Sequence, residues 1–208
     1  MIIIGLGYQA QCGKDTVAAQ MLKIAGGLGL VPMRRALADS LKEECAELVE
    51  ENFGLDAEEV LRQMHSSDPR VKKRWRLLMQ WWGTEGRRYE DPGYWVNLLK
   101  LWLQMKQESN PVLADRTIVF VPDVRFLNEA AFIKSLGGFL INVVRPDVVS
   151  SDSHESENEL ANYGGWDAIM VNDGTLEDLE VKSWEMLRYI RTHYAERDTP
   201  HIGLHTVS

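Results

Sequence analysis

The chain has 208 residues, 45% hydrophobic and 26% charged, with a formal charge of −8. That is enough chain to bury the core of one α/β domain, and its acidity excludes non-specific binding to nucleic acid or an anionic membrane, which needs a positive surface. The two cysteines, Cys12 and Cys45, cannot build a disulfide framework or a Cys/His metal site, and no apolar run is long enough to span a bilayer; the expectation is a cytoplasmic protein.

Residues 2–6 form a short apolar run, which predicts a strand buried on both faces. A polar loop follows over 7–13 and a helical composition over 14–25, so a βα unit opens the chain. The segment RRALADSLKEECAELVEENFG predicts a brief strand and then an amphipathic helix that stops near Gly54. Residues 56–82 are rich in helix formers and end on Trp81 and Trp82, whereas the glycines and proline of GTEGRRYEDPGYW predict a loop. From 94 to 106 the helical period returns, with Trp95, Leu98, Leu99 and Trp102 on one face.

TIVFVPD predicts a second buried strand, and FLNEAAFIKSLGG a helix with a glycine stop. FLINVVRP reads as a strand ending on a basic residue, DVVSSDSHESENELANYGG as a long mobile segment, and WDAIMVND as the last strand. TLEDLEVKSWEMLRYIRTHY predicts the closing helix. The alternation predicts an α/β fold, a parallel central sheet flanked by helices on both faces. One domain is expected over 1–195, with a helical insertion at about 39–116 between strands and a tail over 196–208.

The strongest local pattern is strand–GYQAQCGKDT–helix. Backbone N–H groups in such a loop turn inward around phosphate oxygens, and the helix N-terminus adds a positive dipole end. Lys14 would bridge the β- and γ-phosphates of ATP, and a hydroxyl at the helix start would hold Mg²⁺. Two positions depart from the usual G-x-x-x-x-G-K-[ST]. Tyr8 occupies the first glycine position, with Gly7 one residue early; Asp15 occupies the Ser/Thr position, with Thr16 one residue on. Asp15 suits a water of the Mg²⁺ shell, and Cys12 reads as a small loop residue. The competing reading is a chance Gly-Lys at a helix start.

In an open parallel sheet the loops at the carboxyl ends of the strands converge on one crevice. Lys14 follows the first strand, Asp123 and Arg125 follow TIVFVP, and Arg145 follows FLINVV, so three strand ends deliver charge to one edge. Arg76 and Arg125 have the planar fork that grips a phosphate with two hydrogen bonds.

GKDT-V-A, RLLMQWWGTE, GYWVNLL, VPDVRFLNEA, NVVRP, S-H-E-S-E and VNDGTLEDL occur in an order that resembles the phage deoxynucleoside monophosphate kinases, over about residues 2–187. The resemblance implies a three-layer P-loop kinase fold with a helical substrate-binding insertion and a lid, the lid falling at about 146–162. It also implies an ATP- and Mg²⁺-dependent enzyme that makes deoxynucleoside diphosphates for phage DNA synthesis, in the cytoplasm of an infected host. By position, Gly13, Lys14, Asp15 and Thr16 match the loop for ATP phosphates and metal. Arg76, Gly83, Thr84 and Trp95 match the site for the deoxynucleoside monophosphate acceptor, as do Asp123, Arg125 and Glu129 in the D-x-R-x-x-x-E element. Arg145 and Asn172 fall where related kinases approach the ATP base and phosphates. The resemblance makes Lys14, Asp15, Arg76 and Arg125 the catalytic set. The Trp81–Trp82 pair departs from the smaller residues expected before Gly-Thr.

Structural alternatives stand beside these assignments. Arg76 lies in the charged run RVKKRWR, the composition of a solvated helix face, and Trp95 begins a core stripe. Asp123 and Arg125 make an ordinary ion pair in the alternative reading. His154 reads as a lid or structural residue, since a phosphate acceptor needs little help from a base; Glu155, Glu157 and Glu159 read as a solvated helix face. Asn172, Asp173 and Gly174 equally suit a turn and helix cap. Discrimination against ribose is expected from crowding by Tyr94 or Trp95, and a homodimer is an open expectation. Two other functions fit the same loop: a dephospho-coenzyme A kinase, and a nucleotide-binding regulator without catalysis.

Overall fold

A computed structural model describes residues 1–8, 11–66, 68–146 and 159–197. Five parallel strands form one sheet: β1 (Ile2–Gly7), β2 (Val31–Arg34), β3 (Thr117–Val124), β4 (Phe139–Val144) and β5 (Ala168–Val171), in the order β2-β3-β1-β4-β5. β1 lies between β3 and β4, so Ile4 pairs with Phe120 on one side and Phe139 on the other. The chain leaves β1 toward one edge of the sheet and later returns to its other side. The carboxyl ends of β1, β3 and β4 therefore sit side by side at a topological switch point, where open α/β sheets bind ligands.

Both faces of the sheet are covered, which is why its strands read as unbroken apolar runs. On one face Ile4, Phe120 and Ile141 pack against Val17 and Met21 of α1 (Lys14–Gly27) and Leu187 and Ile190 of α8 (Leu176–Arg197). On the other, Ile3, Val119 and Leu140 meet Trp95 and Leu99 of α5 (Tyr94–Ser109) and Ile133 of α7 (Leu127–Ser135). A third cluster, Cys45, Val49, Val60 and Met64, joins α2 (Leu37–Phe53) to α3 (Ala57–Met64) and is flanked by Trp75 of α4 (Pro69–Gln80). A short α6 (Pro111–Ala114) precedes β3.

Two elements differ from the sequence expectations. β2 is Val31–Arg34, which ends on the first residue of the RRALAD segment. Arg35 N–H still bonds Phe120 O at 3.1 Å, and the chain then turns into α2 at Leu37. The expected loop after Trp82 is instead a π-helical segment, Trp81–Arg88. The wider π turn is fastened by side chains distant in sequence: Trp82 Nε1 donates to Glu44 at 2.9 Å, and Trp95 Nε1 donates to Gly83 O at 3.0 Å. Gly83 leaves room for the Leu41 side chain, whose methyl a Cβ would approach to 2.9 Å. Such π segments occur often at functional sites. Of the expected lid, 147–158 lies outside the described residues; Leu160, beyond it, is buried in the α5/α7 core. The tail beyond Arg197 is also outside them. Among the described residues no helix is long and apolar enough to cross a membrane.

Candidate active site

β1 delivers the phosphate loop directly to the N-terminus of α1. The early glycine of the motif belongs to the strand: a Cβ on Gly7 would fall 2.4 Å from the Trp166 ring and 2.7 Å from Val124 O. Left-handed backbone in the loop comes instead from Gln11, at φ 59, and Gly13, at φ 98. Gly13 begins the helical ladder, its carbonyl accepting from Val17 N at 2.9 Å. The N–H groups of the first turn of α1 have no partner within the helix, which makes this end an anion site.

Five of the expected donor-side residues, Gly13, Lys14, Asp15, Thr16 and Asn172, meet here. Asn172, just past β5, donates from Nδ2 to Cys12 O at 3.0 Å, and a Cβ on Gly13 would sit 2.5 Å from that nitrogen. Asn172 thus braces the loop from the far strand. Lys14 is 7% exposed, with Nζ 3.4 Å from Tyr8 O and 3.6 Å from Cys12 Sγ, so the ammonium lies over the loop itself. Asp15 is exposed and lies 3.3 Å from Arg34, while Thr16 is half-buried one residue on. Arg145 is exposed one residue beyond β4.

Arg34, at the end of β2, extends the charged network; its Nη1 lies 3.2 Å from Asp39 of α2. Asp39 is also 3.9 Å from Lys42, whose Nζ is 3.3 Å from His65 Nδ1. Burial lowers the pKa of Lys42 against the pull of Asp39, and burial followed by the Lys42 charge lowers that of His65. A neutral His65 accepting from the Lys42 ammonium satisfies both. Sequence reasoning singled out none of these four; the available signal was a basic residue ending a strand beside the phosphate loop. Asn142 of β4, in register with Gly7, has a buried Oδ1 with no hydrogen-bond partner among the described residues, an acceptor near the same strand ends.

The D-x-R-x-x-x-E element serves two helix starts whose N-cap residues, Ala36 and Phe126, carry no side-chain acceptor. Ala36, at the N-cap of α2, has no side-chain acceptor, and Asp123 supplies one from β3. Its carboxylate accepts from Leu37 N and Ala38 N, both at 2.8 Å. At α7 the N-cap is Phe126, and Glu129 reaches back to accept from Arg125 N at 2.8 Å and Phe126 N at 3.1 Å. Burial raises the pKa of Asp123, opposed by the α2 amides and by Arg125. Burial likewise pushes Glu129 up to about 7, with the Arg125 amide opposing it, Asp123 adding to it and Arg88 countering. Arg125 is half-buried; its amide binds Glu129 and its charge acts on Asp123.

The π segment, α5 and α4 hold the remaining expected acceptor residues. Gly83 is buried and Thr84 half-buried; Trp95 is 6% exposed, its indole in the sheet core and its N–H on Gly83 O. Trp95 therefore holds Gly83 from the core side. Tyr94 donates its hydroxyl to Glu44 at 2.5 Å, which also binds Trp82 and Arg87. Trp81 is 56% exposed and Arg76 is exposed on α4. His154, Glu155 and Glu157 lie outside the described residues; Glu159 accepts from Leu127 N at 2.7 Å and so helps start α7. Among the described residues no cluster of three or more His, Cys, Asp or Glu could hold a metal. A cation here would take the Thr16 hydroxyl and, through water, Asp15, with the rest of its shell from phosphates and water, a donor set that suits Mg²⁺.

A sequence model of the deoxynucleotide monophosphate kinases matches residues 59–183. Over 191 residues the chain is 34% identical to a protein of Acanthamoeba polyphaga mimivirus whose name places it among the deoxynucleotide monophosphate kinases, covering 86% of this chain and 92% of that one. It is 33% identical over 123 residues to the deoxynucleotide monophosphate kinase of Enterobacteria phage T4, covering 58% of this chain and 48% of that protein. The enzyme of the same name from Escherichia phage RB69 is 33% identical over 114 residues, 54% of this chain and 44% of that one.

Proposed function

Because the chain belongs to the deoxynucleotide monophosphate kinase family, we propose that it transfers the γ-phosphoryl group of ATP to the phosphate of a deoxynucleoside monophosphate, giving the diphosphate and ADP. The observation that carries this reading is the meeting of two cationic elements at adjacent strand ends: Lys14 after β1 and Arg125 after β3. Phosphoryl transfer needs positioning and charge neutralisation more than covalent chemistry, and these residues supply both.

On this reading the α1 N-terminus and the loop amides bind the ATP phosphates. Lys14 leaves its backbone acceptor to follow the charge that moves from the β,γ-bridge toward the acceptor. Thr16 and Asp15 are the residues that would hold Mg²⁺, which supplies charge neutralisation across the phosphates when bound. Arg125, with Arg76, grips the acceptor phosphate, and Gly83 and Thr84 line the deoxynucleoside. Asp123 and Glu129 act through the backbone by fixing where Arg125 stands; Trp95 fixes Gly83. Asn172 braces the loop, and Arg145 reaches the ATP side from β4. Arg34 and Lys42 add positive charge between the two ligands. A host-cell cytoplasmic location and a homodimer are part of the same proposal.

The test is ADP formation with each common deoxy- and ribonucleoside monophosphate in turn, ATP and Mg²⁺ present. ADP that appears only with certain deoxynucleotides is the expected result and identifies the base. Turnover with dephospho-coenzyme A alone, or ATP binding with no acceptor-dependent ADP, refutes the proposal.

A further inference from the structure

Arg88 ends the π segment, and nothing in its sequence context, RRYEDPG, marks it. Its side chain is only 12% exposed. The guanidinium lies 3.5 Å from the centre of the Phe126 ring. Nη2 donates to Asn128 Oδ1 at 2.9 Å, while Nη1 reaches Pro92 O at 3.4 Å and stands 3.9 Å from Glu129. Asn128 Nδ2 donates in turn to Pro92 O at 2.6 Å. One planar group thus stacks on an aromatic ring and directs separate N–H groups at two stretches of chain, 88–92 and 126–129. A lysine, with one point charge and no plane, cannot reproduce this.

The two stretches meet different parts of the acceptor site. Arg88 continues the segment that carries Gly83 and Thr84. Asn128 and Glu129 belong to the first turn of α7, where Glu129 holds the Arg125 and Phe126 amides. The Arg125 guanidinium can only meet an acceptor phosphate in the right place if these stretches keep a fixed separation.

We propose that Arg88 is a positioning residue for the acceptor: it ties the π segment to the β3–α7 turn, so that Gly83, Thr84 and Arg125 present one rigid surface to the nucleoside monophosphate. The proposal rests on the kinase reading above. It gives Arg88 no contact with ATP, so loss of Arg88 acts on one substrate and not the other. A purely structural role would lower stability and affect both substrates alike.

Glu129 gives a second readout. The groups facing it are Arg88 from the π segment, Asp123 from β3, and the Arg125 and Phe126 amides from the turn; Glu159 sits on the adjoining Leu127 N–H. Arg88 favours the ionised carboxylate, so its removal moves the ionisation of Glu129 to higher pH. Grip on the turn, and with it acceptor affinity, then recovers at a more alkaline pH in the variant than in the parent.

The experiment is steady-state kinetics of the full chain and of Arg88→Ala, Arg88→Lys and Asn128→Ala, with KM for each substrate followed between pH 6 and 9. Arg88→Ala is expected to raise the acceptor KM about tenfold, the effect of losing one charge-assisted contact. The ATP KM stays within about twofold, and the pH midpoint of the acceptor KM moves upward. Arg88→Lys is expected to recover part of the charge effect and little of the KM, and Asn128→Ala to raise the acceptor KM less. These two variants carry the test if Arg88→Ala does not fold. Equal changes in both KM values, or none in either, overturn the positioning role while leaving the kinase reading intact. Absence of acceptor turnover in the parent overturns both.

Discussion

The proposed donor loop and the proposed acceptor wall are built by different means. Residues 11–16 take their shape from backbone: a strand end, two left-handed residues and a helix N-terminus, braced by the Asn172 amide. The acceptor wall is an assembly of helices and turns fastened by side chains from remote parts of the chain, Asp123 to α2, Trp95 to Gly83 and Arg88 to α7. A backbone-built site tolerates exchange of most side chains but not of its glycine or lysine. A site fastened by side chains fails in smaller steps, one fastening at a time.

That difference can be broken most forcefully at Lys14. Lys14→Ala should cut turnover by about 10³-fold or more, the scale of losing a preorganised transition-state charge, with thermal unfolding little changed. Near-parental turnover would remove Lys14 from the mechanism.

Next in size is the pH dependence imposed by Glu129. Its folded pKa is raised from the ordinary 4.5 to about 7. At pH below 4.5 the carboxyl is protonated whether the chain is folded or not; between 4.5 and 7 the unfolded chain ionises first, so the native state loses stability as pH rises, and above 7 the loss is complete. The full effect is on the order of 3 kcal/mol. Urea unfolding of the parent and of Glu129→Gln should therefore diverge over this window, with the parent falling more steeply. Parallel curves would mean that Glu129 is not buried as described.

A smaller step is expected at Asp123. Asp123→Ala leaves the first amides of α2 without an acceptor and should cost about 1–2 kcal/mol of stability, as for other lost helix caps, together with weaker acceptor binding. An unchanged denaturation midpoint would deny it the capping role. The smallest effect belongs to the exposed Lys23–Glu180 pair, 3.3 Å apart. Lys23→Ala should change stability by no more than about 0.5 kcal/mol and leave both KM values alone, a baseline against which the other substitutions are judged.

The contrast between the two sites also explains what the sequence made readable. The donor loop is contiguous, so GKDT announced itself, and the buried strands were plain from their unbroken apolar runs. The stripe of α5 was equally plain, and Trp95 lies in the core as its helical spacing required. Asp123 and Glu129 were visible as residues, but their work was not, because Asp123 binds amides 86 and 85 positions away. Gly7 looked like a displaced loop glycine until the approach of Trp166 gave its reason. The π segment was hidden by its own glycines, which ordinarily mark a loop; contacts to Glu44 and Trp95 override that preference. Arg34, Lys42 and Arg88 acquire meaning only from partners brought close by the fold.

The most direct test separates the two sites by ligand. ATP and the accepted deoxynucleoside monophosphate are titrated into the parent, Lys14→Ala and Arg125→Ala, with heat of binding as the signal. Lys14→Ala should lose affinity for ATP while keeping the monophosphate, and Arg125→Ala should lose the monophosphate while keeping ATP. Loss of the same ligand in both variants, or of neither, would contradict the division into a donor loop and an acceptor wall.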